Sequence, residues 1–230
     1  MEFFQKILES DTELFLYLNS FHNDFWDTMM LMITRKETWI PFFAVILFFI
    51  FKNYRSKWWL VVLFLALTVL LADQLSVLLK ETIQRLRPVH NPEIEHLVHN
   101  VLRKGGLYGF VSSHAANSFA LFAFTTRIFR NKGFWLFMLF WAAIFSYSRI
   151  YSGVHYPLDI LGGAVLGWLI GIGTYKALMF LEIHFFLARN PKIETTNLAS
   201  RQSGLIFLVF CVLIVTILIM AVILHRYNYL

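Results

Sequence analysis

The sequence predicts an all-α membrane protein, a polytopic bundle of about six transmembrane helices preceded by an amphipathic segment at the membrane interface. Three observations predict it. First, 58% of the 230 residues are hydrophobic and only 15% are charged, against roughly 25% charged in soluble proteins. Second, the apolar residues gather in runs close to the ~20 residues that a helix needs to cross a bilayer. Third, the cations sit in short loops between those runs and form no stripe, so topology accounts for the net charge of +6 and nucleic acid is not expected as a partner.

Taken in order, residues 3–33 alternate apolar with acidic or polar positions. Glu2, Lys6, Glu9, Asp11 and Glu13 interrupt the Phe and Leu positions, a pattern of interfacial helices that does not fit a cleavable signal peptide. Spans are expected at 38–51, 57–79, 114–129, 133–150, 157–183 and 204–225. The organisation is then an interfacial segment over 1–34 and a transmembrane domain over 35–225, with its chemistry in a core at 80–159. The one long loop, 81–112, carries Pro88, Pro92 and the Gly105-Gly106 pair, and loops of that length are usually functional or disordered. Its His90, His96 and His99, with Arg103 and Lys104, suit a solvated loop or a headgroup contact. Cys211 stands alone in an apolar run, which excludes an internal disulfide and a cysteine metal cluster. Gly163, Gly167 and Gly171 recur every four residues and predict a close helix–helix contact.

Orientation follows from Lys and Arg. The loops after spans one, three and five carry Lys52, Arg55 and Lys57; Arg127, Arg130 and Lys132; and Arg189, Lys192 and Arg201 against Glu194. Those loops are expected in the cytoplasm. The acidic N-terminal segment, the C-terminal tail and both chemistry-bearing loops then face the exterior of the cell's inner membrane.

Three stretches place ionisable residues at span ends, where they are costly and so suggest function. The first is Lys80 with Arg87-Pro88. Lys80 and Arg87 share one face if the helix continues, although Pro88 disfavours helical geometry at Arg87. The second is Val111-Ser112-Ser113-His114, small residues before a helix where backbone N–H groups approach an anion. The third is Ser148-Arg149 with His155 and Asp159. Pro157 suits the first turn of a helix, and a spacing of four brings the imidazole and carboxylate within reach. Each stretch alone also admits a structural reading, as interfacial anchors, a serine N-cap, and a histidine beside a helix-end carboxylate.

Together, in this order and spacing, the three stretches resemble the signature motifs of the type 2 phosphatidic acid phosphatase (PAP2) superfamily. Lys80, Arg87 and Pro88 match K-x6-R-P; Ser112 and His114 match P-S-G-H; and Ser148, Arg149, His155 and Asp159 match S-R-x5-H-x3-D. The second motif departs from the pattern, with Val111 for its proline and Ser113 for its glycine, which puts the path of that loop in doubt. The resemblance implies a membrane lipid phosphatase that needs no metal or other cofactor. It implies His155 as nucleophile, Asp159 as its orienting carboxylate and His114 as proton donor. Lys80, Arg87, Arg149, Ser112, Ser113 and His114 would hold the phosphate. Undecaprenyl pyrophosphate is the first expectation for substrate. Phosphatidylglycerol phosphate, phosphatidic acid and lipid A phosphates follow, and lipid-to-lipid phosphotransfer or a non-catalytic lipid-binding role are the alternatives. Oligomeric state is not readable.

Overall fold

The structure, a computed structural model, describes residues 2–186 and 192–226. Arg189 of the loop-charge argument and the tail beyond 226 lie outside the described residues. The described residues form eight α-helices: α1 (Glu2–Asn19), α2 (Asp24–Thr34), α3 (Ile40–Tyr54), α4 (Trp58–Ile83), α5 (Ser113–Phe129), α6 (Lys132–Tyr151), α7 (Pro157–Leu181) and α8 (Ser200–Arg226). The expected spans coincide with α3 to α8 apart from their ends.

Four stretches are long and apolar enough to cross a membrane. Lys36–Ile83 holds both α3 and α4, joined by a 3-10 turn at Arg55–Lys57; the others are Lys132–Tyr151, Pro157–Phe185 and Ser200–Leu224. At 17 residues α5 is shorter and more polar than these. It packs against α4, α6 and α7, and most of its side chains are buried by them. A helix enclosed by other helices presents little surface to lipid, so it can carry serines and threonines that a lipid-facing span would not.

α1 and α2 are short amphipathic helices. α1 turns Asp11, Phe15 and Asn19 inward and leaves Phe3, Phe4 and Tyr17 exposed. α2 starts at Asn23, whose side chain accepts the Trp26 N–H at 3.0 Å, and buries Met29, Met30 and Ile33 against α6 and α8. The main core is aromatic: Trp39 meets Trp141 edge to face and stacks on Phe210, and Phe42 contacts both Trp141 and Phe210. It includes one buried ion pair, Lys57 Nζ to Glu182 Oε1 at 2.6 Å.

The glycine face of α7 does what its spacing predicts. A Cβ at Gly163 would lie 2.5 Å from the Ser112 carbonyl oxygen, and one at Gly171 2.5 Å from that of Ala120. At Gly167 it would run into the Ala116 carbonyl. α5 and α7 therefore meet backbone to backbone, which brings their N-termini side by side. The Ser112 N–H donates to the Asp159 carbonyl at 2.9 Å across that junction.

Candidate active site

The N-terminus of α7 carries the imidazole–carboxylate pair. Tyr156 is the N-cap, in extended conformation, and Pro157 opens the helix where its missing N–H costs nothing. His155 therefore lies just outside the helix, and helical spacing is not what joins it to Asp159. The capping box does so: Asp159 Oδ2 accepts the Tyr156 N–H at 3.0 Å and stands 3.3 Å from His155 Nδ1. A carboxylate only accepts, so Nδ1 carries the proton and the Nε2 lone pair is free. Asp159 is 0% exposed and His155 2%. Burial pulls His155 down to about 4; Asp159 opposes this, and the nearby Arg87 and Arg149 add to it. The imidazole is thus neutral at pH 7.

α5 supplies the second group. Ser112 is its N-cap, with its hydroxyl facing the Ala115 N–H at 3.5 Å and fully buried. Ser113 is the first helical residue, so the serine at the motif's glycine position takes a helical φ that any residue adopts. Ser113 Oγ lies 2.5 Å from Lys80 Nζ and 2.6 Å from Ser76 Oγ, both on α4. The His114 ring lies over Phe145, with centroids 5.3 Å apart.

The cations arrive from three directions. α4 ends at Ile83, where Gln84 adopts φ 54° and donates its N–H to the Lys80 carbonyl. The helix stops before Arg87, so a shared helical face does not relate it to Lys80. An extended strand-like segment carries it instead, with the Arg87 N–H donating to Leu107 O at 3.1 Å and Nε to Tyr108 O at 3.0 Å. Gly109 allows this crossing, since a Cβ there would lie 2.7 Å from Asp159 Oδ2. Burial lowers the Arg87 pKa from its usual value, and Asp159 counters it. Arg149, in the last turn of α6, donates Nη1 to Thr34 Oγ1 at 2.7 Å. Its Nε is buried with no hydrogen-bond partner among the described residues, a donor available to a substrate oxygen. Lys80 feels the charges of Arg87 and Asp159, and His114 those of Arg149, Arg87 and His155, so the sequence-predicted residues converge on one site. Ser148 is the exception: it is buried and donates to the Phe145 carbonyl at 2.6 Å.

The PAP2 superfamily profile matches residues 57–182, more than half of the chain and all of this constellation. The chain belongs to the PAP2 superfamily. It is 42% identical over 175 residues to the lipid A 4'-phosphatase of Bacteroides thetaiotaomicron, covering 72% of this chain and 77% of that one. It is 37% identical to the lipid A 4'-phosphatase of Porphyromonas gingivalis over 80% of each chain. An undecaprenyl-diphosphatase of Sulfolobus acidocaldarius is 32% identical over 59% of this chain and 61% of its own. Among solved structures, Aquifex aeolicus LpxE superposes with a TM-score of 0.56 at 26% identity, covering 72% of this chain and 94% of that chain. The protein is a multi-pass membrane phosphatase of the superfamily, a hydrolase acting on a membrane lipid phosphate.

The PAP2 site also contains residues that sequence reasoning missed. Arg85 donates Nη1 to Asp159 Oδ1 at 3.0 Å and Nη2 to Asp11 Oδ2 at 2.6 Å. Ser76 and Thr34 contact Ser113 and Arg149. A signal for one of them was present: Asp11 occupies the same helical face as Phe15 and Asn19, so the acid sits on the inward side of an amphipathic helix. Arg85 falls among the variable positions of the first motif and carries no mark of its own.

Proposed function

We propose that this protein is a lipid A phosphatase, removing the 4'-phosphate at the outer face of the inner membrane through a phosphohistidine. The observation that carries the substrate is the likeness to two lipid A 4'-phosphatases over most of both chains. The undecaprenyl-diphosphatase relative is less similar over less of the chain, so the first expectation of undecaprenyl pyrophosphate yields to the lipid A alternative.

The neutral, buried imidazole supports His155 as nucleophile. Its Nε2 attacks phosphorus while the bond from phosphorus to the sugar oxygen breaks. His114, protonated beside the phosphate's negative charge, gives its proton to that leaving oxygen. Asp159 balances the positive charge on the phosphorylated ring. Water then attacks phosphorus, His114 takes its proton, the P–N bond breaks, and inorganic phosphate leaves with His155 neutral again. Lys80, Arg87 and Arg149 hold the phosphoryl oxygens, with Ser113 and the backbone N–H groups at the start of α5 capped by Ser112. Fixed cations suffice for that charge without a metal. Lys and Arg in the loops joining α3 to α4, α5 to α6 and α7 to α8 support an outward-facing site.

The test is phosphate release by purified protein with EDTA present, offered lipid A bisphosphate, undecaprenyl pyrophosphate, phosphatidylglycerol phosphate and phosphatidic acid. Release should be fastest from lipid A, leave a product lacking the 4'-phosphate, and vanish in His155→Ala. Faster release from another lipid would overturn the substrate, dependence on added metal would overturn the cation-only site, and an active His155→Ala would overturn the nucleophile.

A further inference from the structure

Arg85 sits on the side of Asp159 away from His155. Its guanidinium is spread between two carboxylates, Nη1 on Asp159 and Nη2 on Asp11, at 3.0 and 2.6 Å. The guanidinium lies over the Tyr156 ring with Cζ 4.1 Å from the centroid, a cation–π contact. The Tyr156 hydroxyl accepts from Asn91 Nδ2 at 3.1 Å, and its ring meets Phe15 of α1 edge to face. Asp11 uses its other oxygen to accept the Leu158 N–H at 2.9 Å, one of the unpaired donors in the first turn of α7. Both Nη atoms of Arg85 are thus held by carboxylates, and Asp11 and Phe15 together clamp α1 onto the helix start that carries the pair.

We propose that Arg85, held in place by Asp11, is a positioning residue for the phosphatase reaction, and that α1 thereby belongs to the catalytic apparatus. The inference rests on His155 being the nucleophile. A fully buried carboxylate needs its oxygens satisfied. With Oδ1 bound to Arg85, Oδ2 is left to the Tyr156 N–H and to His155 Nδ1, which sets the direction of the imidazole. Charge matters as much as direction. A guanidinium serving Asp159 alone would cancel the negative charge that the phosphorylated ring requires. Asp11 draws on the same guanidinium, so the group of two carboxylates and one cation keeps a net negative charge beside His155. Such outer partners of a histidine–carboxylate pair resemble those behind metal-bound histidines, whose loss costs about 10–100-fold.

The experiment compares Arg85→Gln, Arg85→Lys, Asp11→Asn and the Asp11→Asn/Arg85→Gln double variant with wild type and His155→Ala. All are full-length protein in detergent, assayed on whichever lipid phosphate the wild type hydrolyses fastest. Arg85→Gln should lower kcat by about 10–100-fold, with KM little changed, and Arg85→Lys should recover part of the loss. Removing this cation should shift the acid limb of kcat/KM to higher pH, because His155 then binds a proton more readily. The double variant should be no slower than Arg85→Gln alone, since Asp11 acts through Arg85. An unchanged kcat in Arg85→Gln overturns the proposal, as does a fall with no shift of the limb and no rescue by lysine. Should Arg85→Gln not fold, Asp11→Asn carries the pH readout with the opposite sign: the cluster loses a negative charge, the acid limb should move to lower pH, and an unmoved limb overturns the proposal. Activity in His155→Ala would sink the nucleophile reading itself, whereas an inactive His155→Ala beside a fully active Arg85→Gln sinks only this inference.

Discussion

At the residue scale, the candidate site combines the proposed nucleophile, withdrawn from water, with a cation, Arg149, whose Nε has no partner among the described residues. His155 is held neutral by its burial, and the sign of its pH response follows. Its proton affinity is lowered to about 4, so the free base persists as pH falls through the usual histidine range and is lost only near pH 4. After correction for ionisation of the phosphate, the acid limb of kcat/KM assigned to this group should lie near pH 4. Half-loss near the ordinary histidine value of about 6.5 would show that the imidazole is solvated in the working enzyme. The residue types of the site were legible in the sequence, because a K-x6-R-P, a serine–histidine pair and an S-R-x5-H-x3-D run state their chemistry locally. Arg85 and Asp11 were not. Each of Arg85's bonds spans 74 positions, and no local spacing reports such a partner.

At the element scale, the contact between α5 and α7 decides whether the two motif-bearing helix starts meet. A side chain at Gly167 would collide with the Ala116 carbonyl and come within 2.9 Å of the Ala120 nitrogen, whereas nothing lies within 4 Å of a Cβ at Gly173. Gly167→Leu should therefore cost about 1–3 kcal/mol or more, seen as a lower thermal midpoint, and should reduce kcat by moving Ser113 and His114 away from His155. Gly173→Leu, on the same helix, should leave both unchanged. A second element-scale test concerns the buried pair that ties the start of α4 to the end of α7. Lys57 and Glu182 are 1% and 2% exposed, and Glu182 also accepts the Ile193 N–H at 2.6 Å. Glu182→Gln should destabilise the fold by about 3–5 kcal/mol by leaving Lys57 buried and unpaired. The double variant Lys57→Met/Glu182→Leu should recover only part, because the Ile193 N–H stays without an acceptor. Equal midpoints for Glu182→Gln and wild type would show that water reaches the pair.

At the scale of the whole molecule, the proposed catalytic groups stand apart from an apolar groove of about 1290 Å³ between α6 and α8 lined by Phe137, Phe140, Phe207 and Phe210. The chemistry is recognised by its charges and not by the size of its hollow. Orientation is testable at this scale on a Cys211→Ala background. With the outer membrane permeabilised, a membrane-impermeant maleimide should label Glu93→Cys, in the exposed loop before α5, and leave Lys132→Cys at the start of α6 unlabelled. The reverse pattern would place the site on the cytoplasmic face. The chain alone determined the class of the fold, the six helices α3 to α8 and the motif residues. These depend on hydrophobic run length and short spacings, which act between near neighbours. Only the tertiary structure decided that Arg87 arrives on an extended segment through Gly109, that α5 is enclosed by its neighbours, and that Asp11 reaches Arg85. Such contacts join residues far apart in sequence, and they exist only once the helices have packed.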